Sequence, residues 1–508
     1  MSTPSRNPFQ FILLLVLTLC ISFNATSQLL EVGSGYPYGS LSEAADVAVP
    51  GDTILIHEGI YPGGVFVADL QGTSSEWIYI LAAQGESVIF EGGTNAWQFT
   101  DAAYLEISGF TFQHQTGNGL NFDDGGSYET PAHHVIFDHC TFRDMNASGN
   151  NDMLKLSGLD YFEVRHCTFF NGATGGSGID MVGCHDSHIY ENHFENQGSN
   201  SIQAKGGTRN IRIERNVFKN GGARAVNLGG STGLQFFRPL DAPFESAELK
   251  VYSNVFMGSE APIAYVGTIN TEVVNNTIYL PTKWVMRILQ ETVDTSRFPP
   301  CGYNTFRNNI IYIDNHINVE CNIGPNTAPE TFTFSNNLWF HSEDGNWPGP
   351  DLPAPDEDNI IGEDPLFENS SSENFALLEN SPAIGNGFDV SDPEIDFTGG
   401  AFLLPRSIGA HEGGEITGIE NIIPSKENQF TVYPNPANEL LTISFKVPIE
   451  NGLLSLISIT GENEIRKELV NIEIVETFKL SIPADLHGVY ILLLEGNGLQ
   501  DSQVIIIE

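Results

Sequence analysis

Six segments between residues 135 and 278 end in the same way, and this repetition sets the strongest limit on the fold. Each segment alternates apolar and polar residues, closes on a large apolar side chain, and is followed by a turn rich in Gly and Asn. The closing residues are Phe142, Phe169, Phe194, Phe218, Phe256 and Ile278, which are 27, 25, 24, 38 and 22 residues apart. A repeat near 25 residues predicts a solenoid of parallel β-strands, because each coil can bury its apolar face only against its neighbours. We therefore predict an all-β parallel β-helix with its functional residues on the outer surface.

A second column lies two residues before the closing positions. Its members are Cys140, Cys167, Asn192, Asn216, Asn254 and Asn276. Since this position has the same parity as the closing residue, both should face inward. Buried amides need hydrogen-bond partners, so the column predicts an asparagine ladder that runs from coil to coil. We expect Asn308, Asn309, Asn336 and Asn337 to extend it.

The remaining patterns divide the chain into four parts. Residues 1–27 read as a secretory signal peptide, with an apolar run from Phe9 to Phe23 and a small-residue cleavage site. The β-helix is predicted over residues 28–412, and Ser42 should cap a short helix over Glu43–Val47 that covers its open end. Residues 359–412 are expected to form the last coils. A linker over residues 413–429 leads to residues 430–508, whose alternating strands predict a small antiparallel β-sandwich.

The charge and the cysteines limit the partners and the redox state. The chain has 22 Lys and Arg against 64 Asp and Glu, a formal net charge of −42. This excess speaks against nucleic acid as a partner and favours solubility. Cys140 and Cys167 should stack on adjacent coils, either as a disulfide or as reduced thiols. Cys301 and Cys321 could close a loop, and Cys184 has no evident partner.

Two stretches resemble known families. The segments VYPNPANELL from Val432 and GVYILLLEG from Gly488 resemble the C-terminal sorting domain of the type IX secretion system. That resemblance implies export by the type IX machinery of a Bacteroidetes-type bacterium. GDTILI from Gly51, GIY from Gly59 and the recurrent Asn-x-Phe endings resemble the right-handed parallel β-helix family of pectate, alginate and chondroitin lyases. This second resemblance implies a right-handed helix and a polysaccharide substrate, while the reaction stays open because the fold hosts many chemistries.

The second strand of each coil carries the most informative polar residues. In this strand the first and third positions are mostly apolar and should point inward, so the second and fourth point outward. The second positions form an outer column of Lys155, Asp180, Gln203 and Asn227, and the fourth positions place Ser157, Val182, Lys205 and Gly229 beside it. A parallel stack spaces such side chains about 4.8 Å apart. We interpret this face as a binding groove for an extended polymer, against the alternative of a solvated sheet face.

Basic residues are scarce but cluster near this groove. Lys205, Arg209, Arg212, Arg215, Lys219 and Arg224 fall within 20 residues, and such an island suits an anionic ligand. Arg212 and Arg215 are expected on a different face. Arg238 and Arg287 lie where long segments leave the repeat and could form the walls of the groove. His185 with His188, and His166 with Glu191, are alternative ligands for a transition metal.

Cleavage of a uronic-acid polysaccharide by β-elimination needs a cation for the carboxylate, a base and an acid. Arg or Ca²⁺ can supply the cation, and Lys can serve as the base. Members of the resembled family pair a Lys with an Arg on neighbouring coils. Lys205 matches that Lys, but the Arg position falls at Asn227 and Leu228, and Arg224 lies three residues earlier.

We therefore predict a secreted, monomeric lyase for an acidic polysaccharide. Its base is Lys205, and Arg224, Arg238 or Arg287 is the partner of the substrate carboxylate. Lys155, Asp180, Gln203 and Asn227 are predicted to bind the sugars. The alternatives are a glycoside hydrolase that pairs Asp180 with Glu291, and a surface protein that binds glycans without catalysis.

Overall fold

A computed structural model describes residues 27–127, 129–413 and most of 430–507. The chain divides into two compact units, Met1–Gly414 and Glu415–Glu508, and each is described by itself. The predicted signal peptide apart from Ser27, and the predicted linker apart from Gly413, lie outside the described residues.

In the first unit, short strands follow one another around a coil and stack into three parallel sheets. Sheet 1 comprises Leu29–Val32, Thr53–Ile56, Ile78–Ala82, Ala103–Ser108, Ala132–Asp138, Leu159–Asp160, Glu163–Arg165, His185–Tyr190, Thr208–Glu214, Ser246–Ala247, Lys250–Tyr252, Thr268–Ile269, Glu272–Val274, Cys301–Gly302, Thr305–Arg307, Thr327–Ala328, Thr333–Ser335 and Asp356–Glu357. Sheet 2 comprises Gly59–Pro62, Val88–Glu91, Thr111–Gln113, Thr141–Arg143, Thr168–Phe170, His193–Glu195, Val217–Lys219, Val255–Met257, Thr277–Tyr279, Ile310–Ile313, Leu338–His341 and Ile360–Ile361. Sheet 3 comprises Val65–Ala68, Trp97–Thr100, Leu120–Asp123, Leu154–Ser157, Ser177–Val182, Asn200–Lys205, Arg224–Gly229, Ala261–Val266, Met286–Leu289 and Cys321–Ile323.

The repeat places one aromatic ring above another through the core. Phe142 stacks on Phe169 with 4.7 Å between ring centroids, and Phe169 stacks on Phe194 at 4.6 Å. The stack continues through Phe218 to Phe256, and all five rings are fully buried. This continuous apolar column confirms the predicted β-helix.

The asparagine ladder is also confirmed, with one correction. Each rung accepts the backbone N–H of the previous rung, as Asn216 Oδ1 does from Asn192 at 3.0 Å and Asn254 Oδ1 does from Asn216 at 2.9 Å. Asn276, Asn309 and Asn337 continue the ladder at 2.9 Å per rung. Asn308 and Asn336 were expected in it, but they adopt a left-handed turn conformation, with φ of 54° and 53°. Their side chains contact a later segment of the chain instead.

The entrance of the β-helix is covered by a helix over Leu41–Ala45, two residues earlier than predicted. Ser40, rather than Ser42, is its N-cap and accepts a hydrogen bond from the N–H of Glu43 at 3.3 Å. Leu41 and Ala44 face the core. The shift follows from burial, because these two apolar residues are the ones that close the end of the solenoid.

Residues after Ile361 do not continue the coils, so the prediction of last coils over residues 359–412 is wrong for most of that range. The segment forms an antiparallel pair, Phe367–Asn369 with Asn374–Leu377, and then runs back along earlier coils. Asp392 pairs with Arg212 at 2.7 Å and with Lys250 at 2.8 Å. This returning segment supplies a carboxylate to basic side chains that the coils leave on the surface.

The five cysteines of the described residues are free and buried. Cys140 and Cys167 do stack, since the N–H of Cys140 donates to Cys167 Sγ at 3.4 Å, but they are thiols that begin the asparagine ladder. Cys301 and Cys321 do not close a loop. Burial raises the pKa of Cys321 to about 12, which keeps that thiol protonated.

The second unit consists of antiparallel sheets, as predicted. One sheet contains Phe430–Tyr433, Leu440–Phe445 and Thr477–Ser481, and the other contains Glu464–Ile472, Ile449–Ser458, Gly488–Gly496 and Leu499–Ile507. Leu441, Ile443, Leu456 and Leu492 are fully buried in its core. Two of the strands, those at Phe430 and at Glu464, were not expected from the sequence.

Candidate functional site

The predicted outer column of sheet 3 is confirmed in its register. Lys155 aligns with Asp180, Asp180 with Gln203, and Gln203 with Asn227 on successive coils. The neighbouring column aligns Ser157 with Val182 and Val182 with Lys205. The alternation of apolar and polar residues in each short strand therefore identified the outward side chains correctly.

The column is nevertheless much less exposed than a solvated sheet face. Asp180 is fully buried, and Asn227 and Lys205 are only 2% and 8% exposed. The segment that follows the strand Arg224–Gly229 contributes to this cover, because residues 231–238 lie against Gly183 and Gly206, at the ends of the two preceding strands of sheet 3. The same insertion explains the 38-residue spacing in the repeat.

Glu245 holds this covering segment in place. Its carboxylate accepts the N–H of Gly206 and the N–H of Thr232, each at 2.9 Å, and its side chain is fully buried. Gly230, which follows the same strand, has φ of 156°, a conformation that residues with a side chain rarely adopt. Residues that are not themselves in the groove therefore set its depth.

Two lysines share one buried carboxylate on the floor of this groove. Lys155 Nζ and Lys205 Nζ both contact Asp180 Oδ2, the latter at 3.2 Å. The side chain of Lys155 is 18% exposed and that of Lys205 is 11% exposed, whereas the side chain of Asp180 is fully buried. Lys205 Nζ also donates to Gln203 Oε1 at 3.3 Å. Asp180, which lies beneath the two lysines, thus holds their ammonium groups at the surface of the groove.

Burial and charge act in opposite directions on these groups. Burial would raise the pKa of Asp180, but Lys155 and Lys205 lower it. Burial would lower the pKa of Lys155, but Asp180 and Asp152 raise it. Asp152 lies 3.7 Å from Lys155 Nζ, and burial, followed by the charge of Asp180, raises its pKa to about 6. Lys155 is therefore a persistent cation.

A cleft of about 550 Å³ lies above this floor, and both lysines line it. Its walls are formed by Asp123, Asp124, Gly126, Asn150, Lys155, Ser157, Gly158, Val182, Lys205, Ser231, Thr232, Gly233, Phe236 and Arg238. Burial raises the pKa of Asp124, although the N–H of Gly126 donates to its carboxylate at 3.0 Å. The cleft therefore combines two ammonium groups with a carboxyl group whose pKa is raised.

Arg238 was predicted as a partner for the substrate carboxylate, but it is paired inside the protein. Its two terminal nitrogens bind the two oxygens of Asp160, each at 2.7 Å. One of them also donates to the carbonyl of Gly183 at 2.8 Å. Hydrogen bonds from Arg238 and His185 offset the burial of Asp160 and lower its pKa to about 2. Arg238 therefore fixes the wall of the cleft.

Arg224 and Arg287 lie elsewhere along the groove. Arg224 is at the start of its strand, where it donates to Asn227 Oδ1 at 3.2 Å and pairs with Glu291 at 2.7 Å. Arg287 continues the outer column two coils beyond Asn227 and packs over the Trp284 ring at 4.6 Å. Glu291 is thus the partner of Arg224, and it does not form the predicted carboxylate pair with the buried Asp180.

Sequence reasoning missed the two aspartates of the cleft and the anchor of its cover. Asp123 stands in the fourth position of its strand and aligns with Ser157, one coil on, so the alternation in the segment LNFD carried the signal. Asp124 and Glu245 had no such signal, because their positions depend on turns whose paths the repeat does not set.

The described residues offer one compact set of metal ligands, at a distance from the cleft lining. Asp138, His139 and His166 place one donor atom each within 4.8 Å of one another. Two imidazoles and a carboxylate suit a transition metal better than Ca²⁺, which prefers six to eight oxygen ligands. Of the other suggested ligands, Glu191 contacts His166 at 2.8 Å. His185 is engaged by Asp160 at 3.2 Å and His188 by Glu214 at 3.0 Å.

Each of the two units contains a region that matches a known family model. Residues 95–278 match the family model of the right-handed beta helix region, and residues 431–508 match that of the secretion system C-terminal sorting domain. Both predicted resemblances are confirmed. The type IX sorting domain makes this a secreted or cell-surface protein.

Over the described residues, no helix has the length and apolar character needed to cross a bilayer. No curated protein matches the chain.

The chain is also similar to solved structures. Pectate lyase Pel9A has a TM-score of 0.50 and 14% identity, covering 77% of this chain and 97% of its own. The complex of XylC with xylose has a TM-score of 0.47 and 12% identity, covering 76% and 99%. A mannuronic acid specific polysaccharide family 6 lyase from human gut microbiota has a TM-score of 0.39 and 14% identity, covering 67% and 92%. At such identities the likeness to pectate lyase establishes the β-helix fold alone.

Proposed function

We propose that the protein is a polysaccharide lyase that cleaves an acidic, uronic-acid-containing glycan by β-elimination in the sheet 3 cleft. The observation that carries the proposal is the pair of lysines, Lys155 and Lys205, held on the buried Asp180 with their ammonium groups at the cleft surface. Two cations share the carboxylate of Asp180, and they leave a net positive charge at the floor of the cleft when Asp152, 3.7 Å from Lys155 and with a pKa of about 6, is protonated. That charge suits the carboxylate of a uronic acid.

Each step of β-elimination has a candidate group in the cleft. Lys155, whose pKa is raised, stays charged and pairs with the substrate carboxylate, which acidifies the proton alpha to it. Lys205 first gives up its own proton to solvent and then takes the alpha proton as the general base. The bond from the β-carbon to the leaving oxygen then breaks, a carbon–carbon double bond forms, and the oxygen takes a proton. Asp124 is the candidate acid, since burial raises its pKa.

The arginines take supporting roles in this proposal. Arg238 is occupied by Asp160 and positions the wall beside Asp124. Arg224 and Arg287 lie farther along the groove, where they can bind more distant sugars of the chain. Gln203 and Asn227, also in the outer column, hold Lys205 and Arg224 through their side-chain oxygens. The cation for the substrate carboxylate is therefore Lys155 rather than one of the predicted arginines.

The test is a screen of the mature protein against pectate, alginate and chondroitin, followed by the ultraviolet absorbance of the unsaturated uronate product. We expect absorbance to rise with at least one polymer. Lys205→Ala should abolish the rise, and Lys219→Ala, a matched change on sheet 2, should leave it intact. Equal rates in the two variants would remove Lys205 as the base.

Hydrolysis is the second candidate, because two carboxyl groups, Asp123 and Asp124, line the same cleft, and burial raises the pKa of Asp124. Paired carboxylates of this kind can act as base and acid in a glycoside hydrolase. Release of reducing ends without ultraviolet absorbance would favour this reading. Binding of a glycan with neither product would indicate the non-catalytic alternative.

We also propose that residues 28–412 form the catalytic domain, that a linker follows at 413–429, and that residues 430–508 serve only export. The mature enzyme should act as a monomer, because the groove residues and their cover come from one chain. Light scattering of the mature protein checks this, and a stable dimer would contradict it.

A further inference from the structure

A second feature lies on sheet 1, where three successive coils place an aromatic ring at the same turn. Tyr104, His134 and Tyr161 stack with ring centroids 4.6 and 4.9 Å apart. Trp77 meets the Tyr104 ring edge-on at 5.6 Å. The stack ends at Tyr161, because the next coils carry Asp186 and Asn210 at this position.

The backbone at this turn does not favour aromatic residues. Tyr104 and Tyr161 have φ of 52° and 54°, in the left-handed region. Asn and Asp tolerate this conformation far better than bulky residues do, and Asp186 and Asn210 adopt it with φ of 53° and 52°. The tyrosines therefore lower the stability of their turns, and backbone strain of this kind is often retained for a function.

One face of the last ring in the stack is open. His134 covers one side of Tyr161, but the tyrosine is still 52% exposed. Beyond it lies a shallow depression of about 600 Å³ whose lining includes Tyr161, Glu163, Asp186, Asn210 and Arg212. The short side chains after Tyr161 thus leave a step in the surface, with an aromatic ring as its wall.

The charges of this depression favour a neutral ligand over an acidic one. The lining includes two basic side chains, Arg212 and Lys250, which share the carboxylate of Asp392 at 2.7 and 2.8 Å. Arg212 also pairs with Glu214. Asp186 accepts a hydrogen bond from Asn210 at 2.6 Å, and within the described residues no cation lies within ion-pair distance of it. The carboxylates of Asp186 and Glu163 can accept hydrogen bonds from hydroxyl groups but would repel a uronate.

We propose that this depression is a second carbohydrate-binding site, which holds a neutral sugar residue against the free face of Tyr161. The apolar C–H face of a pyranose would cover the ring, and its hydroxyls would donate to Asp186 and Glu163. A largely apolar platform with a few placed polar groups is the usual form of such a site. It lies on sheet 1, not on the sheet 3 cleft, and does not depend on the proposed reaction.

The test compares two tyrosines that share a backbone conformation. Tyr303 occupies the equivalent turn farther along, with φ of 58° and 62% exposure, but does not line the depression. The mature protein and its variants would be run in native gels that contain xylan, mixed-linkage β-glucan or alginate. We expect a neutral polymer to retard the native protein. Tyr161→Asn should weaken that retardation at least tenfold, and Tyr303→Asn should leave it unchanged.

Stability separates this proposal from a merely structural role. Since Asn suits a left-handed turn, Tyr161→Asn should melt no lower than the native protein while losing the neutral glycan. Lys205→Ala should retain neutral glycan binding. Absence of retardation by every neutral polymer, equal retardation of the Tyr161 and native proteins, or Tyr161-dependent retardation by alginate alone would each overturn the proposal.

Discussion

The replacement Lys205→Ala separates the role of this lysine in the fold from its role in the cleft. From the sequence, Lys205 is an outward side chain whose loss should hardly affect melting. In the structure its side chain is 11% exposed and pairs with the fully buried Asp180. Lys205→Ala should therefore lower the free energy of unfolding as well as remove activity.

The size of the loss follows from what remains around Asp180. Removing one partner of a buried ion pair costs about 3–5 kcal/mol when the other charge is left alone. Here Lys155 still contacts Asp180 Oδ2, so we expect a smaller loss, about 2 kcal/mol. Adding Asp180→Asn to Lys205→Ala should restore most of the stability, because no uncompensated charge then remains and Lys155 keeps Asp152 as a partner.

The assay pairs urea denaturation of the mature protein, followed by circular dichroism, with the lyase measurement. The single variant should be less stable and inactive, and the double variant stable but still inactive. Lys219→Ala is the control, because its ammonium pairs with Glu373 on the surface. A Lys205→Ala protein with unchanged stability would refute the buried pairing. A stable double variant with native activity would refute Lys205 as the base.

Three other predictions concern the fold and export. Asn216→Ala should lower the free energy of unfolding by about 1–3 kcal/mol, because the buried N–H of Asn192 loses its acceptor. The control, Asn318→Ala at an exposed position, should change it by under about 0.5 kcal/mol. Equal unfolding midpoints for the two variants would contradict the ladder. Burial raises the pKa of Asp356 to about 6, so its carboxyl stabilises the fold most below its unfolded pKa of about 4, and this contribution is lost as the pH rises through 6. Asp356→Asn should thus be more stable than the native protein at pH 8 and equally stable at pH 4, as urea denaturation would show. Deleting residues 430–508 should leave an intact β-helix in the periplasm, and its detection on the cell surface by protease shaving would contradict the export role.

The fold could be predicted because one physical requirement repeats in every coil. A large apolar residue must fill the same place in the core, as Phe169 and Phe194 do, and a buried amide such as Asn216 must find the next rung. Alternation within each strand then fixed which side chains point outward, so Asp180 and Gln203 were aligned correctly. These are local constraints, and the sequence repeats them often enough to reveal the register.

The contacts of the site could not be predicted, because they join positions far apart in the chain. Arg238 and Asp160 are separated by 78 residues, and Arg238 lies in an insertion outside the repeat. The position of Glu245, which anchors the cover, likewise depends on the path of an insertion. For this reason the sequence identified Lys205 and Arg238 as candidates but gave the arginine the wrong partner.

The internal pairing of the cations explains how a strongly acidic chain can present a cationic cleft. Two adjacent lysines without Asp180 would repel each other and, being mostly buried, would lose hydration without compensation. Asp180 offsets both penalties, yet it neutralises only one of the two charges, and Asp152 has a pKa raised to about 6, which limits its own contribution. Below about pH 6, where Asp152 is protonated, one positive charge therefore stays at the cleft surface. Because a carboxylate of the substrate would complete the pairing that the protein leaves incomplete, the same arrangement that permits burial also selects an acidic sugar at this site.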